Sequence, residues 1–275
     1  MKDFYKNKSI LNVSSQLLQL KDLIEINENY DSSYFLNYNL AKSWIHDNKL
    51  DLGKLPYLKY DKILSIKATY PKNYIDIINS KIVYLEPTNI PIIREQNNLF
   101  YGQFVPIYLD DDCDKLIISE YRLSKKDSVY LPGIYIHEII HSVIENNNFS
   151  INNFIDYELI PMIYEFLYAN DLGIDVLNLF IRKRFNLLYK YIEWLQTSDK
   201  LLQLYSSSYI NAIIISYQFI ELYRIVNNSV KVEILYDLRE ILHDNQCIKN
   251  VLDKYNLSYE SALEKILLQK HLKVI

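Results

Sequence analysis

The spacing of apolar residues from about Leu131 to the C-terminus is the feature that most constrains the fold of this 275-residue chain. Apolar side chains recur there at intervals of three and four residues, which is typical of amphipathic helices. The segments Leu11–Ile26 and Ser33–Asn48 show the same spacing. Between residues 81 and 121 the pattern changes to short β-branched or aromatic runs separated by turn residues. The sequence therefore predicts a mainly α fold with a small antiparallel β-sheet.

The change of pattern near residue 81 indicates a domain boundary. We predict an N-terminal helical lobe over residues 1–80 and a second region over residues 81–275. The second region divides into a small sheet (81–121), two paired helices (131–170) and C-terminal helices (171–275). Packing onto the core explains the amphipathic helices after Val230 better than a role as an interaction module does.

The acidic run at residues 110–114 is predicted to form the tip between two antiparallel strands. It lacks the spaced ligands, the glycine and the distal glutamate of an EF-hand loop. A solvated turn is therefore favoured over a calcium site.

Composition and charge exclude several classes of protein. A net charge of −4 and a pI near 5.8 give no sign of a nucleic-acid-binding surface. The densest basic cluster, Arg182-Lys183-Arg184, is interpreted as a solvated helix face. With only four glycines, the chain contains no glycine-rich phosphate-binding loop.

The cysteine content and the apolar runs indicate a compartment. Cys113 and Cys247 do not make a disulfide framework, so a reducing environment is expected. The N-terminal residues lack the apolar core of a signal peptide, and no apolar run approaches the length of a membrane span. We predict a cytoplasmic protein without a membrane partner, with leaderless export as the alternative.

The segment His137-Glu138-Ile139-Ile140-His141 is the strongest indication of chemistry. His137 and His141 are four residues apart, so on a helix they lie one turn apart on the same face and can bind one zinc ion. Glu138 is rotated by about 100° from His137, where it can contact a zinc-activated water without binding the metal. The opposite, core-facing stripe consists of apolar residues: Ile136, Ile139, Ile140 and Val143.

A catalytic zinc ion needs a third protein ligand and an open position. The other three histidines have no neighbouring ligand pattern. The next predicted helix, over about residues 154–170, carries Glu158 and Glu165, which are two turns apart on one face. Glu158 is the predicted third ligand, and Glu165 is predicted to orient a ligand histidine from the second shell. The reverse assignment of these two glutamates stays open.

These residues resemble the thimet oligopeptidase and oligoendopeptidase family of gluzincins. In that family an HExGH helix is followed by a helix with a ligand Glu, a nearby Pro and a second Glu seven residues later. Here His137-Glu-Ile-Ile-His141 is followed by Glu158-Leu-Ile-Pro161-Met-Ile-Tyr-Glu165. The resemblance covers about residues 99–226 and implies a zincin-like catalytic fold.

The resemblance also implies residues that stabilise the oxyanion. The family places tyrosines where they can hydrogen-bond the scissile carbonyl, and the segment with Tyr205 and Tyr209 is similar to that part of the family. The chain departs from the family at Ile140, which replaces a glycine, in a shorter spacer before Glu158, and in a total length less than half of the family's.

The predicted function is hydrolysis of peptide bonds through a zinc-activated water, with Glu138 as general base. An extended peptide or protein substrate would pair with an exposed strand of the region 99–121. Two alternatives stay open. One is a dedicated processing protease or effector that cuts a single protein, and the other is a non-catalytic binding protein that retains a peptidase fold.

Overall fold

The structure, a computed structural model, describes residues 38–50, 53–58, 63–65, 82–95, 102–106, 108–109, 115–117, 119–124, 130–146, 154–195, 197–244 and 248–258. The described residues before position 147 belong to one compact unit, and those after position 153 belong to a second. The helix predicted at Leu11–Ile26 lies outside the described residues.

The described residues of the first unit form two helices and eight short strands. Helix α1 spans Tyr38–Asp47 and helix α2 spans Leu131–Asn146. The strands are β1 (Leu55–Leu58), β2 (Ile63–Ser65), β3 (Ile82–Leu85), β4 (Ile92–Glu95), β5 (Gly102–Val105), β6 (Tyr108–Leu109), β7 (Lys115–Ile117) and β8 (Glu120–Ser124). A single 3-10 turn at Pro87–Asn89 connects β3 to β4.

The strands form small sheets whose order the sequence predicts only in part. β1 pairs with β3, and β7 lies between β2 and β6, with antiparallel pairing throughout. β6 and β7 pair antiparallel on either side of the acidic run, as predicted. The predicted turn at residues 110–114 itself lies outside the described residues.

The third sheet, in the order β4-β8-β5, is mixed, and the prediction of a purely antiparallel sheet is wrong in this respect. β5 runs antiparallel to β8, whereas β4 runs parallel to it. Parallel neighbours need a crossover connection, and here the intervening chain contains β5, β6 and β7.

Helix α2 packs against β5, β8 and α1 in the first unit. Its residues from Leu131 to Ile144 are buried on every side, not only along the predicted apolar stripe. The Tyr121 hydroxyl of β8 lies 2.8 Å from Ser142 Oγ of α2 and 3.1 Å from the Pro87 carbonyl oxygen. This contact ties the middle strand of the mixed sheet to the helix that carries both motif histidines.

The second unit is helical throughout its described residues. Its helices are α3 (Phe154–Leu172), α4 (Ile174–Leu195), α5 (Lys200–Ile225), α6 (Asn228–Asp244) and α7 (Ile248–Lys254). Helices α3, α4 and α5 pack against one another, and α6 contacts α7. None of the helices in the described part of the chain combines the length and apolar character needed to cross a bilayer.

Local signals explain where these helices begin and end. Gly173 adopts φ +126° between α3 and α4, a conformation that side-chain-bearing residues rarely adopt. Asp199 caps α5, because its carboxylate accepts hydrogen bonds from the amides of Leu201 and Leu202. Aspartate at this position satisfies amides that have no partner inside the helix.

Most of the predicted helices are confirmed, and the mainly α character with a small sheet holds. α1 falls within the predicted Ser33–Asn48, and α3 covers the predicted residues 154–170. β1 lies inside the stretch predicted as a helical lobe, and its pairing with β3 was not predicted. Gly53 precedes the strand and Pro56 lies within it, and both residue types are typical of turns. The domain boundary near residue 80 stays a prediction.

Candidate metal centre

Two imidazoles on α2 point at a common position. His137 Nε2 and His141 Nε2 lie 3.1 Å apart, and their ring planes are inclined by 72°. Two nitrogens that bind one tetrahedral zinc ion at 2.0–2.1 Å would be separated by about 3.3 Å. The observed separation is therefore close to the one that a shared metal ion requires. Both side chains are also buried.

A carboxylate from α3 completes a set of ligand groups. The ligand atoms that His137, His141 and Glu158 offer all lie within 4.8 Å of one another, and all three side chains are buried. A carboxylate and two imidazoles concentrated away from water are costly unless they are paired or bind a cation. This group could therefore hold a metal ion.

Glu138, the predicted base, lies beside these ligands without belonging to the ligand group. Its side chain is buried, and its Oε2 atom accepts a hydrogen bond of 2.7 Å from the backbone amide of Phe104 in β5. The carboxylate is therefore held by the neighbouring strand, in agreement with a role other than that of a metal ligand.

Glu165 and Glu158 have different neighbours in the second unit. Glu165 forms a buried, two-pronged ion pair with Arg184 of α4. Burial opposes the charge on Arg184, but the charge and hydrogen bonds of Glu165 outweigh it and raise the pKa of the guanidinium. Glu165 is not in the ligand group, and its predicted contact with a ligand histidine stays a prediction.

The interpretation of Arg182-Lys183-Arg184 as a solvated helix face is wrong for two of its three residues. Lys183 and Arg184 are only 7% and 5% exposed. The ion pair with Glu165 provides the physical reason, since it compensates the burial of the arginine charge. The pairing joins residues on different helices, so no local pattern in the sequence indicates it.

Tyr209 of α5 lies in the electrostatic range of Glu158. Burial raises the pKa of the Tyr209 phenol well above its ordinary value, and the negative charge of Glu158 raises it further. The ring stacks on Tyr191 at a centroid distance of 4.7 Å, and Tyr205 contacts it at the same distance. Tyr209 is therefore a neutral phenol that can donate a hydrogen bond.

Tyr205 is the more exposed of the two predicted tyrosines. Its side chain is 37% exposed, and it contacts Trp194 as well as Tyr209. Glu158 and Arg184 are electrostatic neighbours of Tyr209, so the phenol of Tyr209 lies near a member of the ligand group.

Gly102 and Phe104 were not identified from the sequence. A Cβ atom added to Gly102 would lie 2.8 Å from Glu138 Oε1 and 2.4 Å from Ile134 Cγ2. The available signal was one of only four glycines placed inside a strand-like run, which indicates close approach of another group to the backbone. The Phe104 amide gives no sequence signal, because every residue except proline carries one.

The resemblance to the oligopeptidases rests on the residues around His137 and Glu158. A comparison of the chain with protein-family models, with curated proteins and with solved structures gives no match.

Proposed function

We propose that this chain is a zinc-dependent peptidase of the gluzincin type, with a zincin-like catalytic fold. The observation that carries the proposal is the convergence of the buried ligand groups of His137, His141 and Glu158. The motif contains the two histidines one helical turn apart. The third ligand group comes from a glutamate on a different helix.

The ligand set favours zinc over other metals. Two imidazoles and one carboxylate form one of the ligand sets found in catalytic zinc sites, which keep the fourth position open. Magnesium and calcium prefer sites built from oxygen ligands. Bound zinc would supply a Lewis acid that polarises a carbonyl group and lowers the pKa of a water molecule.

Glu138 is the proposed general base. It follows His137 directly on α2, so its carboxylate reaches the space beside the ligands, and the Phe104 amide holds it there. In this position it takes a proton from the attacking water and delivers it to the leaving amine.

Tyr209 is the proposed donor to the oxyanion. A phenol with a raised pKa keeps its proton through the neutral and mildly alkaline range, so it can donate a hydrogen bond as negative charge develops on the substrate carbonyl. Tyr205, whose ring contacts Tyr209, is the alternative donor.

An extended substrate would pair with the outer edge of β5. In an antiparallel pair, alternate residues direct both backbone groups towards and away from the partner strand. Since the Phe104 amide donates to Glu138, Phe104 directs its backbone groups away from β8, and so does Gly102 two residues earlier. This outer edge therefore lies next to the proposed base. Because Glu138 engages the Phe104 amide, a peptide would pair with the other backbone groups of this edge, which are the Gly102 amide and the carbonyl groups of Gly102 and Phe104.

Replacement of Glu138 tests the proposal. Glu138→Gln keeps the size and a hydrogen-bond acceptor but removes the base, so we expect turnover of a pool of internally quenched peptides to fall by about 10²–10⁴-fold. Zinc binding should persist. Glu145→Gln, two turns further along α2, is the matched control and should cleave like the parent.

The outcomes also separate the alternatives. A parent protein that binds zinc but cleaves neither peptides nor intact proteins would favour the non-catalytic binding protein. Cleavage of a single intact protein, with no turnover of free peptides, would favour the dedicated processing protease. Full activity in Glu138→Gln would contradict the role of this residue as base.

A further inference from the structure

The position of Glu138 depends on two features of β5 that are not part of the motif. Oε2 accepts the hydrogen bond from the Phe104 amide at 2.7 Å. A Cβ atom at position 102 would lie 2.8 Å from Oε1, so glycine leaves free the space beside this oxygen. The strand therefore anchors one carboxylate oxygen and leaves room for the other.

We infer that Gly102 and the Phe104 amide are positioning groups for the base. Phe104 anchors Oε2, and the absence of a side chain at Gly102 lets Oε1 occupy the place where it accepts the proton. This inference rests on the proposed function, because it assigns a role within the same site.

β5 is positioned by its pairing with β8 and by a buried aromatic contact. It pairs with β8 over its four residues, with Phe104 opposite Tyr121. The Phe104 side chain is buried, and its ring centroid lies 5.5 Å from that of Tyr121. The Tyr121 hydroxyl also contacts Ser142 of α2. Tyr121 of β8 therefore contacts both β5, through Phe104, and the helix that carries Glu138.

The size of the expected effect follows from the distances. Ordinary van der Waals contacts of a Cβ atom begin near 3.4 Å, whereas a Cβ at position 102 would lie 2.4 Å from Ile134 Cγ2. The difference, 3.4 − 2.4 = 1.0 Å, is the shift that Gly102→Ala would force between the new Cβ atom and the Ile134 methyl group. The corresponding shift at Glu138 Oε1 is 3.4 − 2.8 = 0.6 Å. A displacement of this size in a catalytic group lowers the rate by about ten- to a hundredfold.

The first experiment measures the hydrogen bond itself, without metal or substrate. Protein labelled with ¹⁵N at its ten phenylalanines gives a small set of amide signals, from which that of Phe104 is assigned by its loss in Phe104→Tyr. We expect amide hydrogen exchange at Phe104 to be at least about tenfold faster in Gly102→Ala and in Glu138→Ala than in the parent. Gln103→Ala, which changes an exposed side chain of the same strand, should retain the parental rate.

The second experiment measures turnover of the quenched peptide pool by zinc-loaded protein. Gly102→Ala should bind zinc like the parent and keep its KM, while kcat falls by about ten- to a hundredfold. Gln103→Ala should match the parent in both constants.

A second-site variant separates positioning of the base from helix packing. Ile134→Ala removes the Cγ2 atom that would clash with the new Cβ, but the contact with Glu138 Oε1 remains. We therefore expect the double variant Gly102→Ala/Ile134→Ala to stay far below Ile134→Ala in kcat. If the double variant instead equals Ile134→Ala, the glycine serves packing alone and the inference is wrong.

The two experiments distinguish failure of the inference from failure of the proposed function. Parental kcat and parental exchange in Gly102→Ala, together with an inactive Glu138→Gln, would overturn the inference and leave the peptidase intact. An inactive parent that binds no zinc would overturn the peptidase and, with it, the catalytic role of both groups, whatever the exchange rates show.

Discussion

Glu158 and Glu165 lie two turns apart on α3, and their charges are compensated in different ways. Glu165 is paired with Arg184 inside the helical unit. Glu158 offers its carboxylate to the group that contains His137 and His141. A carboxylate that already has a bidentate arginine partner is a poorer candidate for the third metal ligand, so the assignment of Glu158 gains support.

Zinc affinity should separate the two glutamates. Glu158→Gln removes the only charged ligand, and we expect zinc affinity, measured by competition with a chelating dye, to fall at least about a hundredfold. Glu165→Gln should keep zinc affinity within about tenfold but lower the free energy of unfolding by about 3–5 kcal/mol, because the buried Arg184 loses its partner.

Glu193→Gln, an exposed change on α4, is the control for both measurements. The reverse pattern, with zinc lost in Glu165→Gln and kept in Glu158→Gln, would contradict the assignment.

Residue spacing explains why part of this site could be predicted. His137 and His141 are related by one helical turn, so a local pattern is sufficient to place both rings on one face. The Glu165–Arg184 ion pair and the Gly102–Glu138 contact join separate elements, and no local rule predicts them. The ligand role of Glu158 was predicted because it follows His141 by 17 residues, which is enough for a turn and an antiparallel return to the first helix.

At the scale of elements, the helices were easier to predict than the strands. α2 and α3 have long runs of periodic apolar residues, and their predicted positions agree with the structure within a few residues. The strands are two to five residues long, and their pairing depends on distant partners. The parallel pairing of β4 with β8 could not be predicted, because strand direction leaves no mark in such short segments.

The elements around Glu138 show what a short strand provides to a buried carboxylate. β5 provides the Phe104 amide and the space beside Gly102, while β8 provides Tyr121 as a contact with α2. The position of Glu138 therefore depends on the small sheet, even though most of the described chain is helical.

In the molecule as a whole, several of the many tyrosines are buried in the core. The chain contains 26 tyrosines. Tyr121, Tyr135, Tyr164 and Tyr168 are at most 2% exposed, and burial raises the pKa of each phenol above its ordinary value. The folded protein thus keeps these protons more tightly than the unfolded chain.

Alkaline unfolding should follow from these pKa shifts. The unfolded phenols lose their protons near pH 10, while the folded ones retain them, so stability is unaffected below about pH 9 and falls as the pH rises further. Each of the four tyrosines should contribute a slope of up to about 1.4 kcal/mol per pH unit. Urea unfolding from about pH 8 to about pH 12 measures this slope, and tyrosinate absorbance reports the ionisation.

Single substitutions provide the control for this prediction. Tyr135→Phe removes one buried phenol and should lower the alkaline slope, whereas Tyr236→Phe, at an exposed position, should not change it. Ionisation of all tyrosines near pH 10 in a protein that stays folded would contradict the prediction.

The central claim, that one zinc ion binds at the paired histidines of α2, is tested most directly by equilibrium dialysis of the purified chain against zinc. We expect one equivalent of zinc for the parent, for Glu138→Gln and for His46→Ala, which changes an exposed histidine on α1. We expect a large loss of affinity for His141→Ala. A parent that binds no zinc, or a His141→Ala variant that binds it as tightly as the parent, would show that the histidine pair is not a zinc site.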